Sequence, residues 1–478
     1  MKKKNYWIAG LAVRLSGEQI VFEREKRGNM MRKGRKCYFM SMMAAAALAF
    51  ALTGCGSSAD GVKKSQSVES TAKNEEKNTG TQEDQKDKLE KLPAYTPVDP
   101  ESVPVSAEGD FIFSAYTGGV VEITGYQGSA TQIRVPDNLG GGTSIQLRED
   151  VFKGNDDITY VYLPETVTQV DEYAFKGCDA LEELYMAGPA DVSSGLCRGD
   201  ESLRRVVLGE GCREIRCDGM DSGAFQECTS LTDVVFPASL EIMDYNSFKD
   251  CPQLTAADLS GTKLSTIGQQ AFGGCGLLEE VKLPSTMAYL ESNAFLNCQS
   301  LNSFVIDGAS GIEVVDNVVY QGDVLLFVLL GTQAEEAVIR EGTVTVATNA
   351  FEYDDHLKKV TFPDSVTEIG KNAFTGCEAL EEVTFGKGLV RIGYSAFAGD
   401  ASLREIILPD SVAEIGDVAF GFMEGLEKVT LPDNVKYAGN ATTQEHVFST
   451  DEKVVITYKG KEYTYEQAAE LDAAIAAQ

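Results

Sequence analysis

Several residue types are scarce in this chain, and each shortage removes a class of function. Among 478 residues there are only two histidines, His356 and His446, and one tryptophan. Two histidines leave little material for His-based catalysis or zinc binding. Basic residues number 42 against 73 acidic ones, a formal net charge of −31, so the chain repels nucleic-acid backbones. No P-loop, dinucleotide glycine motif or Cys-x-x-Cys pair occurs. The sequence therefore indicates no metal, no cofactor, no nucleic-acid partner and no catalytic residue.

The composition that remains is that of a soluble globular chain with many turns. Glycines number 46, apolar residues make up 43% and charged residues 24% of the chain. These proportions exclude collagen, a mostly disordered chain and a membrane protein with several spans. The length leaves room for one long domain or two to three ordinary ones.

Residues 30–54 predict a bacterial lipoprotein signal peptide. Four basic residues at positions 32–36 precede an uncharged Ala- and Met-rich run over 37–52, which is too short for a typical membrane span. The run ends in Leu-Thr-Gly-Cys55, which resembles the lipobox of bacterial lipoproteins. That resemblance implies a lipid on Cys55 and anchoring at the extracellular face of the bacterial membrane. An ordinary secretory signal or an N-terminal membrane helix is the alternative.

Two flanking segments complete the N-terminal prediction. Residues 1–29 carry charges that fit no signal peptide, so we expect them to be an upstream extension with translation starting at Met30 or Met31. Residues 55–105 contain the lipidated cysteine followed by a stretch rich in Ser, Lys, Glu, Asp, Gln and Asn with one aromatic residue, Tyr95. Such a stretch cannot bury enough apolar surface to fold, which predicts a disordered tether.

Residues 106–450 carry an internal repeat. The phrase Ala-Phe-x-x-Cys recurs, and its phenylalanines are mostly 23 or 24 residues apart. Six residues after each phenylalanine stands a leucine or isoleucine. The repeat phenylalanines are Phe152, Phe175, Phe225, Phe248, Phe272, Phe295, Phe351, Phe374, Phe397 and Phe420. The gap between Phe175 and Phe225 contains one degenerate unit around Leu196.

Each repeat predicts one coil of a solenoid. In the unit that begins at Leu403, Ile406 and Leu408 alternate with Ile407 as in a short strand, which Pro409 then ends. Gly416 is expected at a turn with positive φ. A unit of this size cannot hide its own apolar residues, so neighbouring units must stack with one short parallel strand per coil.

The repeat resembles the BspA-type leucine-rich repeat of bacterial surface proteins. Leu-x-x-Val-x-Leu-Pro, Ile-Gly and Ala-Phe-x-x-Cys recur together in this order. The resemblance implies a leucine-rich-repeat solenoid that binds another macromolecule at the cell surface, in adhesion to a host or to another cell. An envelope scaffold or a module that captures polysaccharide is the alternative function, and an enzyme is not expected.

Two segments depart from the repeat. Residues 308–343 predict a β-hairpin insertion, with strands over 314–320 and 324–330 joined at Gly322-Asp323. Residues 451–478 predict a C-terminal cap, made of a hairpin over 454–463 and a short helix over 466–476.

The remaining chemistry favours structural roles. Cysteines at the third position after the repeat phenylalanine predict a ladder of small buried thiols, although pairing between adjacent coils or a Cys212–Cys217 bridge would also fit the spacing. Paired acids such as Glu182-Glu183 and Glu381-Glu382 occur in glycosidases, but here they fall in positions expected to form a solvated rim. Both histidines are expected at the surface.

The outward residues of the strands are the predicted binding site. Over some ten coils they would form a continuous concave face of roughly 50 Å. Tyr, Val and Ile exposed on a rigid sheet are typical of a binding face, although good strand formers would also be found there. The candidate ligand-binding residues are Tyr160, Tyr162, Tyr185, Val207, Val235, Val305 and Ile407. In the polysaccharide alternative, the three tyrosines would stack on sugar rings.

Overall fold

The computed structural model describes residues 89–219, 222–306, 308, 311–437 and 454–477, and the backbone of three strands near the N-terminus. The chain divides into two units, Met1–Asn78 and Thr79–Gln478. In the first unit β1 (Tyr6–Ile8), β2 (Leu11–Ser16) and β3 (Gln19–Glu23) form an antiparallel sheet. Cys55, the predicted signal peptide, His446 and the tether up to residue 88 lie outside the described residues.

The second unit is a β-solenoid of about 14 coils. Its strands up to the insertion are β4 (Phe111–Ala115), β5 (Val120–Tyr126), β6 (Gln132–Arg134), β7 (Ser144–Leu147), β8 (Tyr160–Leu163), β9 (Val167–Val170), β10 (Glu183–Met186), β11 (Arg205–Leu208), β12 (Glu214–Ile215), β13 (Asp233–Val235), β14 (Ile242–Met243), β15 (Ala256–Asp258), β16 (Thr266–Ile267), β17 (Glu280–Leu283), β18 (Tyr289–Leu290) and β19 (Ser303–Ile306).

The insertion and the second half contain the other strands. They are β20 (Ile312–Val315), β21 (Val318–Gln321), β22 (Val324–Val328), β23 (Glu336–Val338), β24 (Thr345–Val346), β25 (Lys359–Thr361), β26 (Glu368–Ile369), β27 (Glu382–Thr384), β28 (Arg391–Ile392), β29 (Glu405–Ile407), β30 (Glu414–Ile415), β31 (Lys428–Leu431), β32 (Lys436–Tyr437), β33 (Val455–Tyr458) and β34 (Lys461–Tyr463). One helix, α1 (Ala468–Ala476), follows them.

Each coil contributes a longer strand to one side and a shorter strand to another. The longer strands pair in parallel in the orders β13-β11-β10-β8-β6, β15-β17-β19, β23-β25-β27 and β29-β31-β33, with the antiparallel β34 added to the last. The other side holds the sheets β4-β5-β7-β9, β12-β14-β16-β18 and β20-β21-β22-β24-β26-β28-β30-β32, in which the repeat coils contribute strands of two to four residues, whereas β4–β5 and β20–β22 pair antiparallel. The predicted parallel strand per coil is confirmed, and the second strand is an addition. We call the outward side of the longer strands the long-strand face.

The repeat phenylalanines stack along the inside of the solenoid. Centroids of neighbouring rings lie between 4.7 and 5.5 Å apart in seven parallel pairs. The stack is interrupted in the degenerate coil, where Cys197 rather than Leu196 takes the phenylalanine position. Its N–H donates to the Ala224 carbonyl, as the N–H of Phe225 donates to the Ser247 carbonyl in the next coil. Because each ring packs on the ring of the next coil, neighbouring coils stabilise one another.

The insertion is a three-stranded antiparallel meander instead of the predicted two-stranded hairpin. The connection of β21 to β22 does lie at Gly322-Asp323, but the expected first strand is split into β20 and β21 by a turn at Asp316-Asn317. Both turn residues have positive φ, 48° and 67°. A tight turn of this kind needs two left-handed residues, which Asp and Asn tolerate better than β-branched neighbours.

The insertion also joins two hydrophobic cores. Val319 and Phe327 belong to the core that begins at Phe111, whereas Tyr320 and Leu325 belong to the core that continues to α1. Phe327 takes up the interrupted ring stack, with its centroid 5.6 Å from that of Phe295. The apolar run of β22 is therefore covered on both sides by repeat coils.

The nine described cysteines are free and buried. Six thiols donate to a main-chain carbonyl in an earlier coil at 3.0–3.2 Å, usually that of a repeat phenylalanine: Cys178, Cys228, Cys251, Cys275, Cys298 and Cys377. Cys212 and Cys217 are free as well. Burial raises the pKa of the Cys275 thiol to about 12. The ladder is thus made of protonated thiols that serve as small apolar donors.

Three coils hold a buried aspartate at the position where six others hold the thiol. They are Asp200, Asp354 and Asp400. Each carboxylate accepts main-chain N–H groups: Asp200 from Gly177 and Cys178, and Asp400 from Cys377. Burial raises the pKa of Asp200 to about 8 and that of Asp354 to about 6. The same pocket therefore accepts a thiol or a carboxyl group that holds its proton more tightly than usual.

The expectation for Gly416 is wrong. Its φ is not positive; instead, a Cβ there would lie 2.6 Å from the Tyr394 nitrogen in the preceding coil. The left-handed residue of the turn is Val418, with φ 57°, and Asn372 and Ser395 occupy the equivalent place in earlier coils. Glycine is needed after the isoleucine because two backbones approach closely there.

The C-terminal end consists of a hairpin and a helix. The strands β33 and β34 are joined at Lys459-Gly460, both with positive φ, and β33 extends the parallel sheet of β31. Leu471 and Ile475 of α1 are buried in the second core. Within the described part of the chain, no helix has the length and apolar character needed to cross a membrane.

Candidate binding face

The long-strand face carries two rows of outward side chains. Core residues such as Val161 and Leu163 alternate with them, and the strand register aligns equivalent positions. The first row is Gln132, Tyr160, Glu183, Arg205, Asp233, Ala256, Glu280, Ser303, Glu336, Lys359, Glu382, Glu405, Lys428 and Val455. The second row is Arg134, Tyr162, Tyr185, Val207, Val235, Asp258, Lys282, Val305, Val338, Thr361, Thr384, Ile407, Thr430 and Thr457.

Three of the seven candidate residues are exposed as expected. Val235, Val305 and Ile407 have exposed fractions of 39%, 48% and 62%. Tyr162 and Tyr185 are half-buried, with ring centroids 5.2 Å apart. The Arg134 guanidinium lies over the Tyr162 ring, 5.0 Å from its centroid, and covers part of that ring.

The prediction is wrong for Tyr160 and Val207. Both were expected on the exposed face, and both are buried. Val207 lies in register between the side chains of Tyr185 and Val235 on the adjacent strands. Tyr160 is in register with Glu183 and is fully buried, with no hydrogen-bond partner for its hydroxyl group. Its burial raises the pKa of the phenol. A fully buried ring cannot stack on a sugar.

The end of the predicted tether covers this part of the face. Residues 89–103, which we call the strap, cross this face with hydrogen bonds to solenoid side chains in and next to the longer strands, so the expectation of disorder up to residue 105 is wrong for this part. The strap runs from the coil of Glu279, whose carboxylate is 2.6 Å from the Lys91 ammonium, to the coil of Arg134, which donates to the Pro100 carbonyl at 2.8 Å. The strap ends at Val103, whose side chain is buried.

Glu183 is the centre of the contact with the strap. One of its carboxylate oxygens accepts the Val98 N–H at 2.9 Å, and the Tyr95 hydroxyl also hydrogen-bonds to the carboxylate. Arg205 approaches Glu183 at 3.5 Å and Asp233 at 3.2 Å. Burial raises the pKa of Glu183, although the Val98 N–H and the Arg205 charge oppose this shift. Burial and the Glu183 charge raise the pKa of Tyr95 to about 12.

The paired acids therefore do not form a uniformly solvated rim. Glu183 is only 1% exposed, whereas Glu382, at the equivalent place in the second half, is exposed. The difference follows from the strap, which reaches only the first half. Sequence reasoning missed the strap, and its apolar residues Leu92, Val98 and Val103 were the available signal.

Among the described residues, no segment is bound over the second half of the face, which comprises β23, β25, β27, β29, β31 and β33. Val338 and Ile407 are 67% and 62% exposed in the second row. Beside them the first-row charges are paired across strands, with Lys359 2.8 Å from Glu382 and Lys428 3.4 Å from Glu405. Such exposed pairs contribute little to stability. In the second row of this half, the exposed Val338 and Ile407 are separated by threonines, and the first row beside them is charged and partly ion-paired.

One cluster among the described residues has the composition of a metal site. The side chains of Asp354, Asp355 and His356 bring their ligand atoms within 4.8 Å of one another. The Asp354 carboxylate, however, already accepts the His356 and Leu357 N–H groups in the repeat turn, and His356 Nδ1 lies 2.5 Å from Asp355. The cluster is accounted for as the turn of this coil, with His356 partly exposed.

Comparison with known proteins agrees with this architecture. Residues 143–216, 198–323 and 331–450 match the BspA type leucine rich repeat region, in six copies. The chain belongs to the BspA-type leucine-rich repeat family. No curated protein matches the sequence. Leucine-rich-repeat solenoids of this family are typically binding scaffolds without enzymatic activity.

Solved structures share the fold of this BspA-type protein. It is similar to a leucine rich cell surface protein from Faecalibacterium prausnitzii, at 22% identity and a TM-score of 0.50, over 71% of this chain and 96% of that chain. It is also similar to the pneumococcal vaccine antigen PcpA, at 18% identity and a TM-score of 0.50, over 73% of this chain and 91% of that chain. At these identities the likeness concerns the fold.

Proposed function

We propose that this BspA-type protein is anchored by lipid at the extracellular face of a bacterial membrane and binds a macromolecular ligand in adhesion. The observation that carries the proposal is the open second half of the long-strand face. There Val338 and Ile407 are exposed beside ion-paired charges on a rigid sheet. Apolar side chains fixed on a rigid surface lose little entropy on binding, which suits a protein ligand. The lipobox at Cys55 supports the anchor.

The test is a binding screen of the mature chain against extracellular-matrix proteins and glycans. The double variant Val338→Glu/Ile407→Glu is expected to lose binding to a protein ligand. The control is Phe422→Glu, because Phe422 is 75% exposed but lies in a repeat turn away from the longer strands. Binding that survives the double variant would contradict the proposed face. Replacing Cys55 by Ser should release the protein from the membrane fraction.

The second candidate function is capture of a polysaccharide. The observation in its favour is the tilted pair of Tyr162 and Tyr185 rings in the first half, next to Arg134. Aromatic faces beside a hydrogen-bond donor are suited to sugar rings. A glycan signal that is lost in Tyr162→Ala/Tyr185→Ala and kept in Val338→Glu/Ile407→Glu would favour this function. No binding to either array would favour an envelope scaffold.

A further inference from the structure

The strap is held through its main chain as a bound peptide would be. Its contacts come from several coils of the first half rather than from one anchor. Side chains of the solenoid bind main-chain groups of the strap as follows: Gln253 binds the Leu92 N–H and the Glu90 carbonyl, Arg204 the Pro93 carbonyl, Glu183 the Val98 N–H, and Arg134 the Pro100 carbonyl. The distances lie between 2.5 and 3.0 Å.

These contacts fit an extended chain with prolines. The strap contains Pro93, Pro97 and Pro100, and two of their carbonyl groups are the ones that the arginines bind. Proline fixes φ near −65° and removes the N–H, so such a segment stays extended and shows mainly acceptors. Two arginines that donate and one glutamate that accepts are complementary to this arrangement. The guanidinium of Arg204 also lies 5.7 Å from the Tyr95 ring centroid.

The groove under the strap also has polar groups that the strap leaves unused. The Tyr160 hydroxyl and the Nε atom of Arg204 are buried without a hydrogen bond. Unsatisfied buried donors cost free energy, so the strap does not exhaust what this surface can bind. A different extended peptide has donors left to use.

We propose that the first half of the long-strand face is a groove for extended, proline-containing peptides, which the strap occupies in cis and vacates for a competing peptide. The groove lies in the first half of the long-strand face, whereas the proposed adhesion site lies in the second half, so the inference goes beyond the proposed function and does not rest on it. The strap is tied to the groove by the chain itself, so its high effective concentration keeps the groove closed until a tighter or more abundant peptide arrives.

The test uses the mature chain and a labelled synthetic peptide of residues 89–105. The variant Tyr95→Ala/Val98→Pro removes the hydroxyl group and the N–H that bind Glu183, and it changes only the strap, so the solenoid should fold. Hydrogen exchange is expected to show protected amides at Leu92 and Val98 in the unmodified chain and loss of the Leu92 protection in the variant. The peptide is expected to bind the variant by fluorescence anisotropy and to bind the unmodified chain much more weakly.

Matched substitutions on the solenoid locate the binding. In the strap variant, Glu183→Ala should weaken peptide binding by about tenfold or more, because a hydrogen bond to a charged group contributes about 1.5–3 kcal/mol. Glu382→Ala removes the same side chain from the exposed equivalent position and should leave binding unchanged. Unprotected strap amides in the unmodified chain would overturn the proposal, as would equal peptide affinity in all variants. No external ligand is needed, so a blank array contradicts the proposed function without affecting this test.

Discussion

Replacing Asp200 by Asn should make the solenoid more stable at neutral pH, although Asn and Asp are nearly the same size. Asp200 is fully buried at a position that most coils fill with cysteine. One carboxylate oxygen accepts the Gly177 and Cys178 N–H groups at 2.8 and 3.0 Å, and the other has no hydrogen-bond partner. Burial raises the pKa of this carboxyl to about 8. An amide keeps an acceptor oxygen for both N–H groups and carries no charge at any pH.

The magnitude follows from the difference between the folded and unfolded pKa of Asp200. In the unfolded chain the carboxyl loses its proton near pH 4, whereas in the folded chain it keeps the proton up to about pH 8. Between these values the unfolded state binds fewer protons, so the free energy of unfolding falls as pH rises, by about 1.4 kcal/mol per pH unit. From pH 5 to pH 7 the Asp200 contribution therefore falls by about 2–3 kcal/mol. Above pH 8 the contribution is constant.

The assay is urea unfolding of both proteins at pH 5 and pH 7. All other carboxyl groups are common to the two chains and cancel in the difference. The Asn variant should gain about 2–3 kcal/mol relative to the unmodified chain between the two pH values. Circular dichroism and tyrosine fluorescence must give coincident transitions, since long repeat arrays can unfold in steps.

A surface control separates burial from the loss of charge. Asp410→Asn removes one negative charge from an exposed turn of the same solenoid. The change between pH 5 and pH 7 in this control measures the effect of charge alone on a strongly acidic chain. Parallel pH dependences for the unmodified chain and the Asp200 variant would refute the reasoning about the buried carboxyl.

Two further predictions concern the repeat itself. Gly416→Ala should lower the free energy of unfolding by about 2 kcal/mol, because the new Cβ would meet the Tyr394 nitrogen. The control is Gly261→Ala, which has open space around it and should change the free energy of unfolding by less than about 1 kcal/mol in either direction. Thermal unfolding of the two variants compares them, and equal losses would contradict the close-approach argument. The nine described cysteines should resist alkylation in the folded protein and react fully in denaturant, as mass spectrometry can count; rapid labelling of the native chain would show that the thiol ladder is not closed.

The coil architecture could be predicted because the repeat carries its own register. Phe374, Phe397 and Phe420 recur at 23-residue spacing. Stacking of neighbouring coils then aligns all the remaining positions of the unit as well. The two rows of the long-strand face follow from this register together with the alternation of side chains in a strand. For the same reason the exposure of Val235, Val305 and Ile407 was predicted correctly from position alone.

Local turn chemistry was harder to predict. The glycine of the Ile-Gly pair suggested positive φ, but the left-handed residue is Val418, two positions later. Position 416 requires glycine because the backbone of the preceding coil lies against it. Sequence shows that a small residue is required and does not distinguish a dihedral requirement from a steric one. At Asp316-Asn317 the turn signal was present in the residue types and was outweighed by the apolar run around it.

The sequence by itself determined the solenoid, its repeat register and the inside-outside pattern of each strand, because these depend on neighbours one coil away. Only the tertiary structure decided which part of the face is open. The strap meets Glu183 and Gln253 about 85 and 160 residues further along the chain. No periodic pattern encodes such contacts, so Glu183 and Glu382, which look alike in the sequence, end up buried in one half and exposed in the other.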